Sequence, residues 1–419
     1  MTIAAPAKPA PPGLDALRRA DWLTGRRATA YGWILLVVSA AVAAGWALAS
    51  HGGLDPTGKP LGTDFKEFWA ASKLAGAGAP RLVYDWGPLH DEQIAMFGRD
   101  TGFAPFFYPP IFLLVCLPLA AVPYLVALPA WLLVTGAAYW RAAKAWLGAR
   151  AGSMPIFAFP AVLANAGHGQ NGFLSAALFG FGAFWLERRP VIAGLCLGSL
   201  AYKPHLGLII PIALAISRRW SSFIGAAAAV LLLSFASWAV YGLGTWQAFI
   251  AASSLAQNAL NQGAAGDAKL QSAFAAVRVW GGPLALAWTA QAAMAVFAVG
   301  GLVWLRRRAP SSEAAGPAMI VAALLSSPYL FDYDLVILAA PLAWLFRQGI
   351  QRGFLDWEKT ILAAAFVLPA VSRTLATEAK LPLAPLVIAA LFVLVLRRGV
   401  YELHGANRTC AAFSPPLAS

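Results

Sequence analysis

Apolar residues run along this chain in long blocks, and the short stretches between them carry arginines in pairs and triplets. The first block, Ala30 to Ala49, has about 20 residues, the length a helix needs to cross a hydrocarbon core of about 30 Å. A second is opened by Tyr108-Pro109-Pro110 and runs to Ala121; Pro123 turns into a third that ends near Tyr139. Proline in a first helical turn forfeits no hydrogen bond, so the double proline marks a helix start. Nine more blocks follow: Phe173–Leu186, Val191–Tyr202, His205–Ile216, Trp220–Tyr241, Leu284–Leu305, Pro317–Pro328, Tyr333–Phe346, Thr360–Val371 and Leu383–Leu396. The pattern predicts an all-α polytopic membrane protein with about 12 transmembrane helices. Met154 to Ala164 is too short to cross and reads as re-entrant or interfacial, after a polar patch from Arg141 to Arg150.

Composition agrees, with 60% hydrophobic residues, 12% charged and a mean hydropathy of +0.66. The net charge of +13 does not point to nucleic acid, because the basic residues sit at block ends: Arg26 with Arg27, Arg188 with Arg189, Arg218 with Arg219, Arg306 to Arg308, Arg397 with Arg398. That distribution follows the positive-inside rule rather than a phosphate-tracking groove. Residues 1–28 are expected to be a disordered cytoplasmic tail, 29–398 a single membrane domain, and 399–419 a second cytoplasmic tail. The loop 50–107 then lies outside the cytoplasm. Of three cysteines, Cys116 and Cys196 fall inside apolar blocks, so neither a disulfide framework nor a metal site is expected.

The outer loop concentrates chemistry. Seven of the 18 acidic residues lie between His51 and Phe107. Phe65 to Ala77 has helical apolar spacing with Phe and Trp, which predicts an amphipathic helix at the membrane interface, and Pro88 to Phe97 predicts a second short helix. Asp64, with Glu67 three residues on, admits two readings. Asp-x-x-Glu at a helix start resembles a capping box, with Thr63 as an alternative cap. Otherwise Asp64 is a general base, its pKa raised by the aromatic residues beside it.

Other polar groups interrupt the apolar blocks. Lys203, in Tyr202-Lys203-Pro204-His205, is costly near membrane depth and is read as a ligand for an anion such as phosphate, as the partner of Asp332 or Asp334, or as a snorkelling side chain. Gly167-His168-Gly169-Gln170-Asn171-Gly172 matches G-x-G-x-x-G but follows no strand, so it is read as a tight turn presenting His168, Gln170 and Asn171, or as a plain helix break. The loop Gly242 to Gly282 and the acidic pair Asp332 and Asp334 fall on the same side as Asp64.

Taken together, Thr63-Asp64-Phe65, Phe68-Trp69-Ala70, Tyr84, Tyr108-Pro109-Pro110 with Pro118-Leu119, Gly169-Gln170, Lys203-Pro204 and Ser327-Pro328 with Tyr333-Asp334 resemble glycosyltransferase family 87, from about Gly62 to Ala340. The family is similar in fold to the C-type glycosyltransferases, so the resemblance implies a GT-C-like bundle with an extracytoplasmic first loop containing interfacial helices. It implies a polyprenyl-phosphate sugar as donor, a glycolipid or glycan acceptor, mannose as the sugar, and Asp64 as catalytic base. Members tied to mannolipid synthesis tend to carry histidines where this chain has Tyr333 and Asp334. Lys203, with Arg81 and His205, would take the donor phosphate; Glu67, Tyr108, His168, Gln170, Asn171, Asp332 and Asp334 would line the substrates. No cofactor, metal or nucleic acid is expected, membrane lipids are the surroundings, and the location is a bacterial cytoplasmic membrane with the site facing outward. The rival reading is a lipid or glycan transporter or flippase of the envelope, whose ionisable groups would line a through-path instead of clustering on one side.

Overall fold

A computed structural model describes residues 12–264 and 266–412. Among these the ordered elements are helices, joined by loops with a few isolated bridges. Six helices are long and apolar enough to cross a bilayer: Gly25–Leu48, Tyr124–Leu147, Trp220–Tyr241, Leu284–Arg308, Glu358–Glu378 and Ala384–Glu402. Their outer faces leave Leu133, Leu231 and Val296 exposed by 72%, 70% and 72%. Hydrocarbon accommodates such faces and water does not, so the chain is a polytopic helical membrane protein.

Shorter apolar helices fill the interior: Pro110–Ala121, Gly172–Phe184, Pro190–Tyr202, Pro204–Ile216 and Ala315–Ser326. Every residue from Gly316 to Leu325 is buried. Twelve residues rise only about 18 Å, so this helix ends inside the bundle, where its polar ends need partners. Close packing holds the layer together. Gly194 and Gly198, four apart on one face, let their helix approach until an added Cβ would lie 2.2 Å from the carbonyl oxygens of Ser222 and Ala226.

Several expected boundaries change. The patch Arg141 to Arg150 is helical as far as Leu147, because cationic side chains suit a helix C-terminus and Lys144 turns its ammonium to the carbonyl of Ala149. The Gly242 to Gly282 loop contains a 19-residue helix, Leu243–Asn261. Pro12–Arg19, expected within a disordered tail, forms a helix docked where Trp357 N–H donates to the Arg18 carbonyl; residues 1–11 lie outside the described residues. The last helix runs past 398 to Ala412, and 413–419 again lie outside. Met154 to Ala164 falls in two short helices, Met154–Ala158 and Pro160–His168.

Phe65–Gly76 is the helix expected at the membrane interface. It is buried instead at Phe65, Lys66, Glu67, Phe68, Trp69, Ala70, Ala71, Ser72 and Ala75, and Phe68 packs edge-on against Phe112 and Trp131. The aromatic residues that would have served an interface are spent on an internal core. Trp86–Phe97 is the second helix of the loop, with Asp85 capping it through Gly87 N–H.

Candidate active site

The site begins where two glycines bring the outer loop onto the end of Pro160–His168. Gly169 is left-handed at φ +66°, and a Cβ there would lie 2.6 Å from that of Phe65 and 3.2 Å from the Gly62 Cα. Only glycine allows this contact. It lets Asp64 N–H donate to the carbonyl of His168, fixing the register of the two segments. Gly167-to-Gly172 is therefore a helix–turn–helix elbow, the tight turn expected from its residues.

Asp64 stands at the N-cap position of Phe65–Gly76 with a helical backbone, and its side chain makes no capping bond. Its carboxylate points the other way. Thr63 Oγ1 donates to Oδ1 at 3.2 Å, Gln170 Nε2 to Oδ2 at 3.3 Å, and His168 Nδ1 lies 3.6 Å from Oδ2. Thr63 Oγ1 and His168 Nδ1 are 2.9 Å apart, so hydroxyl, imidazole and carboxylate form a closed triangle. The Gln170 amide also donates to Glu67 Oε1 at 3.1 Å, and its oxygen accepts from the Tyr108 hydroxyl at 3.2 Å and from Asn171 N–H at 3.1 Å. One side chain thus bridges two carboxylates.

The two carboxylates are not equivalent. Asp64 is 33% exposed and Glu67 6%. Burial pushes the Asp64 carboxyl up, but the bonds from His168, Gln170 and Thr63 and the charge of His168 outweigh it, so its pKa falls below the usual value. This corrects the expectation of a raised Asp64. Burial, reinforced by the negative charge of Asp64, holds Glu67 well above the usual carboxylate range instead. His168 moves up: burial alone would lower it, and the bond to and charge of Asp64 more than offset that. Asp64 is thus the more exposed and the more acidic of the two carboxylates, beside an imidazole whose pKa is shifted upward by it.

A second cluster adjoins the first. Lys203 Nζ is 2.5 Å from Asp334 Oδ1, with side-chain exposures of 3% and 0%. Of the three readings open for Lys203, an ion pair is the one this geometry displays. Tyr333 joins the clusters, its ring 5.3 Å from Lys203 Nζ and 5.7 Å from the His168 ring. Polar atoms remain unmet among the described residues: Asp334 Oδ2 has no partner, and the amide of buried Asn171 makes no hydrogen bond of good geometry.

The remaining sequence candidates sit farther out. His205 is half-buried with Nδ1 2.8 Å from Ser327 Oγ. Asp332 lies 3.6 Å from Arg373. Arg81 is exposed beside Gly244, where its guanidinium packs on the start of Leu243–Asn261. Two residues escaped the sequence reading in these roles: Thr63, which touches both Asp64 and His168, and Arg373, a 45% exposed cation whose charge reaches His168. Arg373 had a signal, a lone arginine at the block end that should by charge bias be poor in them.

Fold and site together define a helical membrane protein with an acid–base constellation at one end. The sequence pattern of Glycosyltransferase family 87 matches residues 106–328, more than half of the chain, and the chain belongs to that family. Neither a curated protein nor a solved structure matches it. The chain is a glycosyltransferase, which sets the transport reading aside. Tyr108, His168, Gln170, Asn171 and Lys203 lie inside the matched stretch; Asp64, Glu67, Asp332 and Asp334 lie outside it, and the case for them is geometric.

Proposed function

We propose that this glycosyltransferase is an inverting enzyme that moves a hexose, mannose by family resemblance, from a polyprenyl-phosphate sugar to an envelope glycolipid or glycan. The reaction would run on the outer side of a bacterial cytoplasmic membrane, in a single domain spanning 29–398 and crossing about 12 times, six of the crossings by the long helices. In this reading Asp64 takes the proton of the acceptor hydroxyl as its oxygen attacks the anomeric carbon. The bond from that carbon to the phosphate oxygen breaks on the opposite face, and polyprenyl phosphate leaves. One base and a cationic phosphate site suffice for such a single inversion. No cofactor enters the scheme.

Glu67, Gln170 and Tyr108 hold the base, and His168 with Thr63 keeps it ionised. Asn171, Asp332 and Asp334 are left to meet the sugars. Lys203 would receive the leaving phosphate by exchanging Asp334 for it, with His205 behind it and Arg81 and Arg373 as exposed cations on the rim. The observation that carries the reading is the Asp64 side chain, which declines the helix cap it is placed to make and is held partly exposed by three donors.

Asp64→Asn tests it. Asparagine caps as well as aspartate but accepts no proton, so transfer from a polyprenyl-phosphate hexose should fall by about 10² to 10⁴-fold with near-normal melting. An Asn variant that retains turnover removes Asp64 from the mechanism.

A further inference from the structure

At the opposite end from Asp64 a cleft of about 400 Å³ opens between the turn after Ile209–Ile216 and the end of Leu284–Arg308, lined by Ile216, Arg218, Val303, Arg306, Arg307 and Pro310. Its size is that of a small-ligand site. Three arginines face it, and among the described residues none of the three has a carboxylate within salt-bridge distance. Neighbouring Arg219 takes the nearby Glu187 and still buries an Nε with no partner. Arg218 is held at φ +54°, a left-handed conformation that disfavours side chains, in the turn above the opening.

The residues around the cleft are of the kind that collects at a bilayer surface. Trp220 and Trp304, each two residues from one of these arginines, are 56% and 42% exposed, as residues of an interfacial aromatic belt are. Below them Ile212 and Ile224, exposed by 42% and 67%, present the apolar faces along which acyl chains would run. A cationic opening at headgroup depth above apolar walls is complementary to one class of molecule in particular.

We propose that this cleft binds the headgroup of an anionic glycerophospholipid, its phosphate between Arg218 and Arg307. A freely dissolved phosphate would share the charge but would gain nothing from the tryptophan level or the apolar faces. The site is separate from sugar transfer and stands or falls independently of Asp64.

The test uses the purified full chain in nanodiscs of phosphatidylcholine with and without phosphatidylglycerol, with retained lipid read by native mass spectrometry. Replacing Arg218→Gln together with Arg307→Gln should lower phosphatidylglycerol retention relative to phosphatidylcholine by about 30-fold. Should the double variant fail to fold, Val303→Trp fills the cleft with all arginines kept and should likewise displace the anionic lipid. Unchanged retention in the folded variant, or in Val303→Trp, overturns the proposal. So does displacement of phosphatidylglycerol by inorganic phosphate at comparable concentration, which would make this a site for a dissolved anion.

Discussion

Two buried ion pairs stand at opposite ends of the bundle and are built differently. Arg398 meets Glu358 as a fork: Nε donates to Oε1 at 2.8 Å and a second nitrogen reaches Oε2, while the Gly353 carbonyl takes a further bond and Leu355 N–H donates to the carboxylate at 2.8 Å. Lys203 meets Asp334 through a single contact and leaves Asp334 Oδ2 unmet. A planar guanidinium and a carboxylate satisfy each other bidentately, which an ammonium cannot do. The first pair is a clip that ties the start of Glu358–Glu378 to the last helix. Arg398 Nη1 in the clip and Asp334 Oδ2 in the second pair both lack a hydrogen-bond partner among the described residues, so what separates the pairs is place: the second adjoins Tyr333, whose ring also meets His168 of the Asp64 cluster.

The largest expected effect comes from breaking either pair alone. Arg398→Met and Lys203→Met each leave a buried carboxylate without its cation, so each should lower stability in detergent by about 3–5 kcal/mol, read by thermal unfolding. Both pairs look alike in that experiment. They separate when both partners are replaced. Arg398→Met with Glu358→Met, and Lys203→Met with Asp334→Leu, should each recover most of the lost stability, because an apolar pair of similar volume is tolerated where an ion pair was. Turnover per folded molecule should then be normal for the first and about 10²-fold down for the second, and equal turnover in the two would reduce Lys203–Asp334 to a second clip.

Smaller effects sharpen the account of the site end. Gly169→Ala forces a Cβ into a left-handed turn already touching Phe65, and should cost about 1–3 kcal/mol; a variant that melts normally would refute the close approach on which the elbow depends. The smallest effect is a pH trend. The pKa of His168 is raised in the folded chain, so its stabilising contribution is whole below its ordinary value of 6.5 and is lost as pH rises through the folded value. The melting difference between wild type and His168→Gln should therefore shrink on going upward from about pH 6.

Much of this was legible in the chain itself. Block length marked Gly25–Leu48, Trp220–Tyr241 and Leu284–Arg308 as spanning, because the thickness of hydrocarbon dictates how many apolar residues a crossing needs, but it did not separate the blocks Thr360–Val371 and Leu383–Leu396, which lie in long helices, from Val191–Tyr202 and His205–Ile216, which lie in short ones. Asp64 stood out in the acid-rich outer loop, and Gln170 and Lys203 as polar groups interrupting apolar blocks, and all three lie in or beside the constellation. Tertiary structure decided the rest. Whether Asp64 caps a helix or faces a site depends on a carboxylate rotation set by Thr63, His168 and Gln170, two of them more than 100 positions away, and no local spacing encodes it. The same holds for which carboxylate carries the raised pKa, since depth and neighbours fix that rather than residue type. Lys203 could have faced a phosphate, an aspartate or the water boundary on sequence alone. Only the meeting of residues 131 apart selected Asp334, because burying an ammonium that deep is tolerable when a carboxylate arrives with it.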